Sequence, residues 1–90
     1  MKYRVLKFGA TWCGPCKKLS EELNNKPINL NHVSIEEINV DDNEELTEHY
    51  GIRSIPTSII IDDKHNEIAR LVGYNGYQNY VNWIKDNTHE

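Results

Sequence analysis

The alternation of apolar and polar residues predicts four short strands. Apolar side chains are concentrated in residues 3–9, 34–40, 57–61 and 68–72, and each run is bounded by polar or turn-forming residues. Apolar runs of this length are typical of strands. The third and fourth runs are separated only by the turn-forming residues 62–66, so we expect them to form a hairpin.

Three other segments have helical signals. In residues 14–25, Pro15 suits a first helical turn, and Cys16, Leu19 and Leu23 then recur at helical spacing. Residues 41–43 are a typical helix start, and a glycine at position 51 ends that helix. From residue 76 the apolar side chains fall at i, i+3, i+4 and i+7, at Tyr77, Tyr80, Val81 and Ile84.

The order of these elements, β-α-β-α-β-β-α, predicts the fold class. It indicates an α/β fold with a four-stranded mixed sheet whose first half is parallel and whose two faces carry helices. Ninety residues are enough for one hydrophobic core. We therefore expect a single domain over residues 1–90.

Charge and hydropathy narrow the choice of partners. The net charge is −4 and no run of Lys and Arg suggests a phosphate-binding surface, so we expect no nucleic-acid partner. No apolar run approaches the length of a membrane span, so we expect no membrane association. Charges interrupt residues 1–10, where an export signal needs an apolar core, and we therefore expect a cytoplasmic protein.

The two cysteines, Cys13 and Cys16, are separated by only two residues. A structural disulfide over so short a loop would constrain little of the unfolded chain. A zinc site would need about four ligands, and the four histidines are scattered singly along the chain. A redox dithiol is favoured, because one thiol would lie at a helix N-terminus, where the thiolate is stabilised, and the other one turn later.

Three motifs resemble the thioredoxin family: WCGPC at residues 12–16, GIRSIPT at 51–57, and Val72-Gly73. The resemblance covers about residues 3 to 87. It implies a thioredoxin fold without the usual N-terminal strand and helix, in a chain closer in length to a glutaredoxin.

The resemblance also implies a catalytic cycle. Cys13 is expected to be the exposed nucleophile that attacks a substrate disulfide, and Cys16 the buried resolving thiol that attacks Cys13 in turn. No cofactor is implied, because the cysteines carry the electrons. The resemblance also implies a monomer. Its expected partners are disulfide-containing proteins as substrates and a thioredoxin reductase, or a glutathione system, as electron donor.

A substrate-binding surface around Cys13 follows from the same resemblance. It implies that Pro56 is a cis-proline and that the backbone of Ile55 binds an extended substrate by strand addition. The mostly apolar surface would comprise Trp12, Gly14, Pro15, Ile55, Pro56, Val72, Gly73 and Tyr74. For Tyr74, an ordinary loop aromatic is an equal alternative.

One charged residue departs from the family pattern. Thioredoxins usually carry a buried aspartate six residues before the first cysteine, and here that position is Lys7. The position of the usual lysine partner is Glu37, so the two charges are exchanged. Either Lys7 extends to solvent and Glu37 lies on the surface, or the two form a partly buried pair that modulates the active site near Cys16, because a lone buried charge is costly.

The predicted function is therefore the reduction of protein disulfides by dithiol exchange. One alternative is a glutathione-linked, glutaredoxin-like carrier, although the residues after Gly73 lack the double glycine and acid that glutaredoxins use for glutathione. Another is a binding module that has this fold but no redox turnover.

Overall fold

The computed structural model describes residues 1–89 and contains four strands and three helices in those residues. The strands are β1 (Tyr3–Gly9), β2 (Val33–Asn39), β3 (Thr57–Asp62) and β4 (Glu67–Val72). The helices are α1 (Gly14–Asn25), α2 (Glu44–His49) and α3 (Tyr77–Asn87). The predicted order of elements is confirmed, and the predicted bounds of β1 and α1 are reproduced.

The strands form one mixed sheet in the order β2-β1-β3-β4. β1 is parallel to β2 and antiparallel to β3, and β3 forms the expected antiparallel hairpin with β4. This arrangement confirms the predicted α/β class and the mixed sheet. It also places β1, which leads directly to the cysteines, in the interior of the sheet.

The side chains of β1 alternate between two hydrophobic clusters, as the period of a strand requires. Tyr3 and Val5 face one cluster, which α1 and α3 cover, and its other buried members are Leu19, Leu23, Ile60, Tyr80 and Ile84. Leu6 and Phe8 face the opposite cluster, with Ile38, Ile59 and Ile61, and residues of α2 and its flanks pack against it. β3 is buried along its whole length between the two.

The same alternation directs Lys7 and Gly9 toward α1, because they follow Tyr3 and Val5 on one face of β1. Lys7 is buried although its side chain carries a charge. The fold therefore sets a charged side chain and a glycine beneath the helix that begins at the cysteine pair. Within residues 1–89, none of the helices is both long and apolar enough to cross a membrane.

Candidate active site

The cysteine pair lies where β1 gives way to α1. Cys13 and Cys16 form a disulfide, and their Cα atoms are 5.3 Å apart. Cys13 is the N-cap residue of α1, and its Sγ accepts a hydrogen bond of 3.3 Å from the backbone N–H of Cys16. Pro15 occupies the first turn of the helix, where a backbone N–H would have no acceptor within the helix, so the N–H that proline lacks is not missed. A sulfur at this position receives the N–H groups and the dipole of the helix N-terminus, which favour a thiolate when the pair is reduced.

The two cysteines are almost equally buried in this oxidised form. Cys13 is 6% exposed and Cys16 is 7% exposed. The expectation that Cys13 is exposed is therefore wrong for the disulfide state. Its Sγ is turned toward Cys16, and Ala10, Val40 and Ile55 pack around the pair.

The segment before β3 lies against the disulfide. The Ile55–Pro56 peptide bond is cis, Ile55 packs on the cysteine cluster, and Pro56 lines the same groove as Cys16. The backbone N–H of Gly73 donates a hydrogen bond of 2.8 Å to the carbonyl oxygen of Pro56. Three segments that are far apart in sequence, around residues 13, 56 and 73, therefore meet at one site.

Exposed apolar side chains flank the site. Trp12 is 67% exposed, and Gly14 and Pro15, close to it in the chain, are also exposed. Val72 is 62% exposed and pairs with Thr57, the residue after Pro56. Trp12 is held in place because its Nε1 donates a hydrogen bond of 2.9 Å to Asp41. Large exposed apolar groups that cluster in this way usually mark a contact surface.

The side chain of Tyr74, which was predicted to line the substrate-binding surface, makes its contacts with the helices. Its hydroxyl donates a hydrogen bond of 2.6 Å to Glu22 of α1. Its ring lies edge-on to that of Tyr80, 6.1 Å away between centroids. Burial, followed by the hydrogen bond to Glu22, raises the pKa of the Tyr74 hydroxyl. These contacts tie Tyr74 to the α1 and α3 side of the sheet and favour a structural role for it.

Lys7 and Glu37 form an ion pair, and the parallel register of β1 and β2 sets them opposite each other. The Lys7 Nζ lies 3.1 Å from Glu37 Oε1 and donates a second hydrogen bond of 3.0 Å to the hydroxyl of Ser20. The Lys7 side chain is buried, at 9% exposed, whereas that of Glu37 is 68% exposed. The structure thus contains the expected pair, with the cation inside and the carboxylate at the surface.

Ser20 completes this arrangement by donating a short hydrogen bond to Glu37. That bond is the largest cause that holds the pKa of Glu37 below its usual range, and the hydrogen bond and charge of Lys7 act in the same direction. Glu37 is therefore ionised at neutral pH.

Three residues near the site were not predicted from the sequence to contribute to it: Ser20, Gly9 and Asp41. Ser20 follows Cys16 by four residues and so shares its helix face, a spacing that could have indicated it. A Cβ atom on Gly9 would lie 3.2 Å from both Cβ and Sγ of Cys16, so a side chain there would crowd the disulfide. Asp41 follows β2, whose end adjoins the parallel end of β1 that leads to Trp12.

Comparisons with known proteins identify the family of this chain. The family model described as Thioredoxin matches residues 1–86. A thioredoxin of Chlamydia pneumoniae is 42% identical over 80 residues, which are 89% of this chain and 78% of that protein. A thioredoxin of Chlamydia caviae is 34% identical over 93% of this chain and 81% of its own.

Solved structures give the same result. The thioredoxin of Fasciola hepatica superposes with a TM-score of 0.85 at 28% identity and covers 97% of this chain and 82% of its own. A thioredoxin of Nicotiana alata superposes with a TM-score of 0.86 at 27% identity, over 98% of this chain and 75% of its own.

Proposed function

Since this chain belongs to the thioredoxin family and is a thiol–disulfide oxidoreductase, we propose that it reduces proteins that present a disulfide in an extended segment. The observation that carries the proposal is the position of the Cys13–Cys16 disulfide, at a helix N-terminus and against the Ile55–Pro56 segment. Neither a structural disulfide nor a scaffold requires that combination.

The reaction begins with the reduced dithiol. The thiolate of Cys13 attacks one sulfur of the substrate disulfide, a mixed disulfide forms, and the other substrate sulfur leaves as a thiolate. Cys16 then attacks the Cys13 sulfur, and the second substrate thiolate leaves. The two electrons that reduce the substrate come from the dithiol, which ends as the Cys13–Cys16 disulfide.

The substrate docks over the apolar surface around the cysteines. Ile55 immediately precedes Pro56 and β3, so its backbone can pair with an extended segment as an added strand. Trp12 and Val72 are more than half exposed on the flanks of this segment and provide apolar contact. Gly14, Pro15, Pro56 and Gly73 contribute backbone and small apolar surface, and Tyr74 supports the surface through Glu22.

A reductase must return the disulfide to the dithiol after each turnover. We assign this role to a thioredoxin reductase rather than to glutathione, because the WCGPC motif is the thioredoxin form. A cytoplasmic location suits a dithiol that must be kept reduced. A monomer is supported by the few large apolar side chains that are well exposed in residues 1–89, two of which, Trp12 and Val72, lie on the docking surface.

The Cys16→Ser variant tests the proposal. It should stop the reaction at the mixed disulfide, because the resolving thiol is absent. Incubation with a disulfide-containing protein such as insulin should therefore yield a covalent adduct that dithiothreitol releases and that mass spectrometry maps to Cys13.

The matched control is Cys13→Ser, which keeps one thiol at a position one turn into the helix. It should form at least tenfold less adduct, since the thiol at the helix start is missing. Adducts of equal yield from the two variants, or none from Cys16→Ser, would contradict the assignment of the nucleophile.

A further inference from the structure

A buried cation lies beneath the resolving cysteine. Lys7 is 8% exposed, and its Nζ binds Ser20 of α1 and Glu37 of β2 at 3.0 and 3.1 Å. Ser20 also donates to Glu37, so the ammonium, hydroxyl and carboxylate groups form a closed triangle. The ammonium of this triangle lies inside the protein, whereas the carboxylate lies at its surface.

Two independent relations place the ammonium near Cys16. Ser20 lies one helical turn after Cys16, and such side chains are neighbours at roughly 5 to 6 Å. Gly9 lies two residues after Lys7 on the same face of β1, which is about 7 Å along the strand, and the Cβ position of Gly9 is 3.2 Å from the Sγ of Cys16. The first relation places the ammonium, 3.0 Å from the Ser20 hydroxyl, within about 10 Å of the Cys16 sulfur. The second places the backbone of Lys7 on the same face of β1, one position along from the glycine that faces that sulfur.

A groove of about 420 Å³ connects the two groups. Lys7, Ser20, Glu37, Gly9 and Cys16 all line it. It is large enough to admit water to the Cys16 thiol, so a proton can leave that sulfur for solvent.

Two other charged residues of α1, Lys17 and Glu21, line the same groove. Both are exposed and their charges are opposite, so their effects on Cys16 are screened and largely offset each other. Lys7 is the buried charge among those that line the groove, and a buried charge is screened least.

We propose that Lys7 stabilises the thiolate of Cys16 and that Glu37, held by Ser20, limits this stabilisation. Lys7 is then a positioning residue for the resolving step, and the sign of its effect is fixed by its charge. The inference rests on the proposed function in one respect, that Cys16 reacts as a thiolate. In that step the Cys16 thiol releases its proton to solvent, its sulfur bonds to Cys13, and the electron pair of the Cys13–substrate bond leaves with the substrate sulfur.

Thiol titration in a Cys13→Ser background tests the inference, because Cys16 is then the only thiol. The thiolate absorbance at 240 nm gives the titration midpoint. Adding Lys7→Met should raise that midpoint by about one pH unit, since the attraction of the ammonium is lost. Adding Glu37→Gln should lower it by roughly half a unit, since the repulsion of the carboxylate is lost and Lys7 is no longer offset.

The opposite signs separate charge from packing. Loss of packing or of the ion pair as a structural element would shift the midpoint in the same direction in both variants. Glu36→Gln is the matched control, because Glu36 is the neighbour on β2 that pairs with Arg4 at 2.7 Å, and it should leave the midpoint unchanged. Shifts of the same sign, or no shift in Glu37→Gln, would overturn the inference.

Kinetics give a second readout with both cysteines present. At neutral pH, Lys7→Met should slow release of substrate from the mixed disulfide about threefold, because the loss of thiolate outweighs the gain in nucleophilicity. Glu37→Gln keeps an amide oxygen that can accept the hydrogen bonds of Lys7 and Ser20, so we expect this variant to fold even where Lys7→Met does not, and it suffices to decide the sign. The titration requires no turnover, so failure of the inference is distinguishable from failure of the proposed function, which the adducts of Cys16→Ser test.

Discussion

The ammonium of Lys7 is buried and is held by two partners, the hydroxyl of Ser20 and the carboxylate of Glu37. A lysine in an apolar strand indicates either an extended surface cation or a buried one with a partner, and the cost of a lone buried charge favoured the second. The spacing from Cys16 places Ser20 on the same face of α1, but the hydrogen bonds of Ser20 to Lys7 and Glu37 were not predictable. They depend on the height and rotation of α1 over the sheet, which long-range packing sets.

Asp62 has an effect on stability that depends on pH. Its carboxylate closes the turn between β3 and β4 by accepting hydrogen bonds from the backbone N–H groups of Asn66 and Lys64, at 2.8 and 2.9 Å. The bond from Asn66 is the largest cause that lowers the pKa of Asp62. A carboxylate with a lowered folded-state pKa stabilises the fold above its unfolded pKa of about 3.9, and this contribution disappears as the pH falls through the folded value.

Asp62→Asn should therefore lower the melting temperature at pH 7 and flatten its decline as the pH falls below about 4. The exposed neighbour Asp63 provides the control, and Asp63→Asn should keep the wild-type pH dependence. Thermal melts across this range measure both. A decline in Asp62→Asn as steep as that of the wild type would show that the turn is held by other groups.

The contact between β1 and α1 controls the geometry of the cysteine pair. Gly9 brings the strand close to the helix, since a Cβ there would lie 3.2 Å from Cys16 Sγ. Gly9→Ala should destabilise the oxidised protein by about 1 to 2 kcal/mol, because the added methyl group forces Cys16 or the helix to move.

Gly14→Ala is a matched control for that prediction, because no atom lies within 4 Å of a Cβ at Gly14. It should be close to neutral, since alanine favours the helix but the ring of Pro15 disfavours helical backbone for a preceding residue with a Cβ atom. Denaturant unfolding of both variants measures the difference. Equal stability of Gly9→Ala and the wild type would mean that the strand and helix can separate at no cost.

The elements themselves were largely predictable. β1 follows from a run that is apolar apart from Arg4 and Lys7, and α1 follows from a proline that precedes apolar residues at helical spacing, so their bounds were predicted without error. β2 was displaced by one residue, because the edge strand exposes polar residues along one side and its apolar pattern is weaker. Local patterns thus specify which elements form.

The arrangement of the whole molecule depends on contacts that no local pattern contains. The meeting of Cys13, Pro56 and Gly73 follows from the crossover of the parallel pair and from the β3–β4 hairpin, and it was inferred only through the family motifs. The prediction for Tyr74 shows the limit of that inference. Its position beside Gly73 suggested the docking surface, whereas its contacts with Glu22 and Tyr80 tie it to the helices.

In the proposed reaction, Cys13 and Cys16 together reduce protein disulfides. This is decided by the reduction of insulin in the presence of dithiothreitol, followed by the turbidity of the precipitating B chain. The wild-type protein should accelerate the reaction well above the rate with dithiothreitol alone, and Cys13→Ser should return it to that background rate. Acceleration that persists in Cys13→Ser, or none with the wild-type protein, would show that the cysteine pair does not reduce protein disulfides.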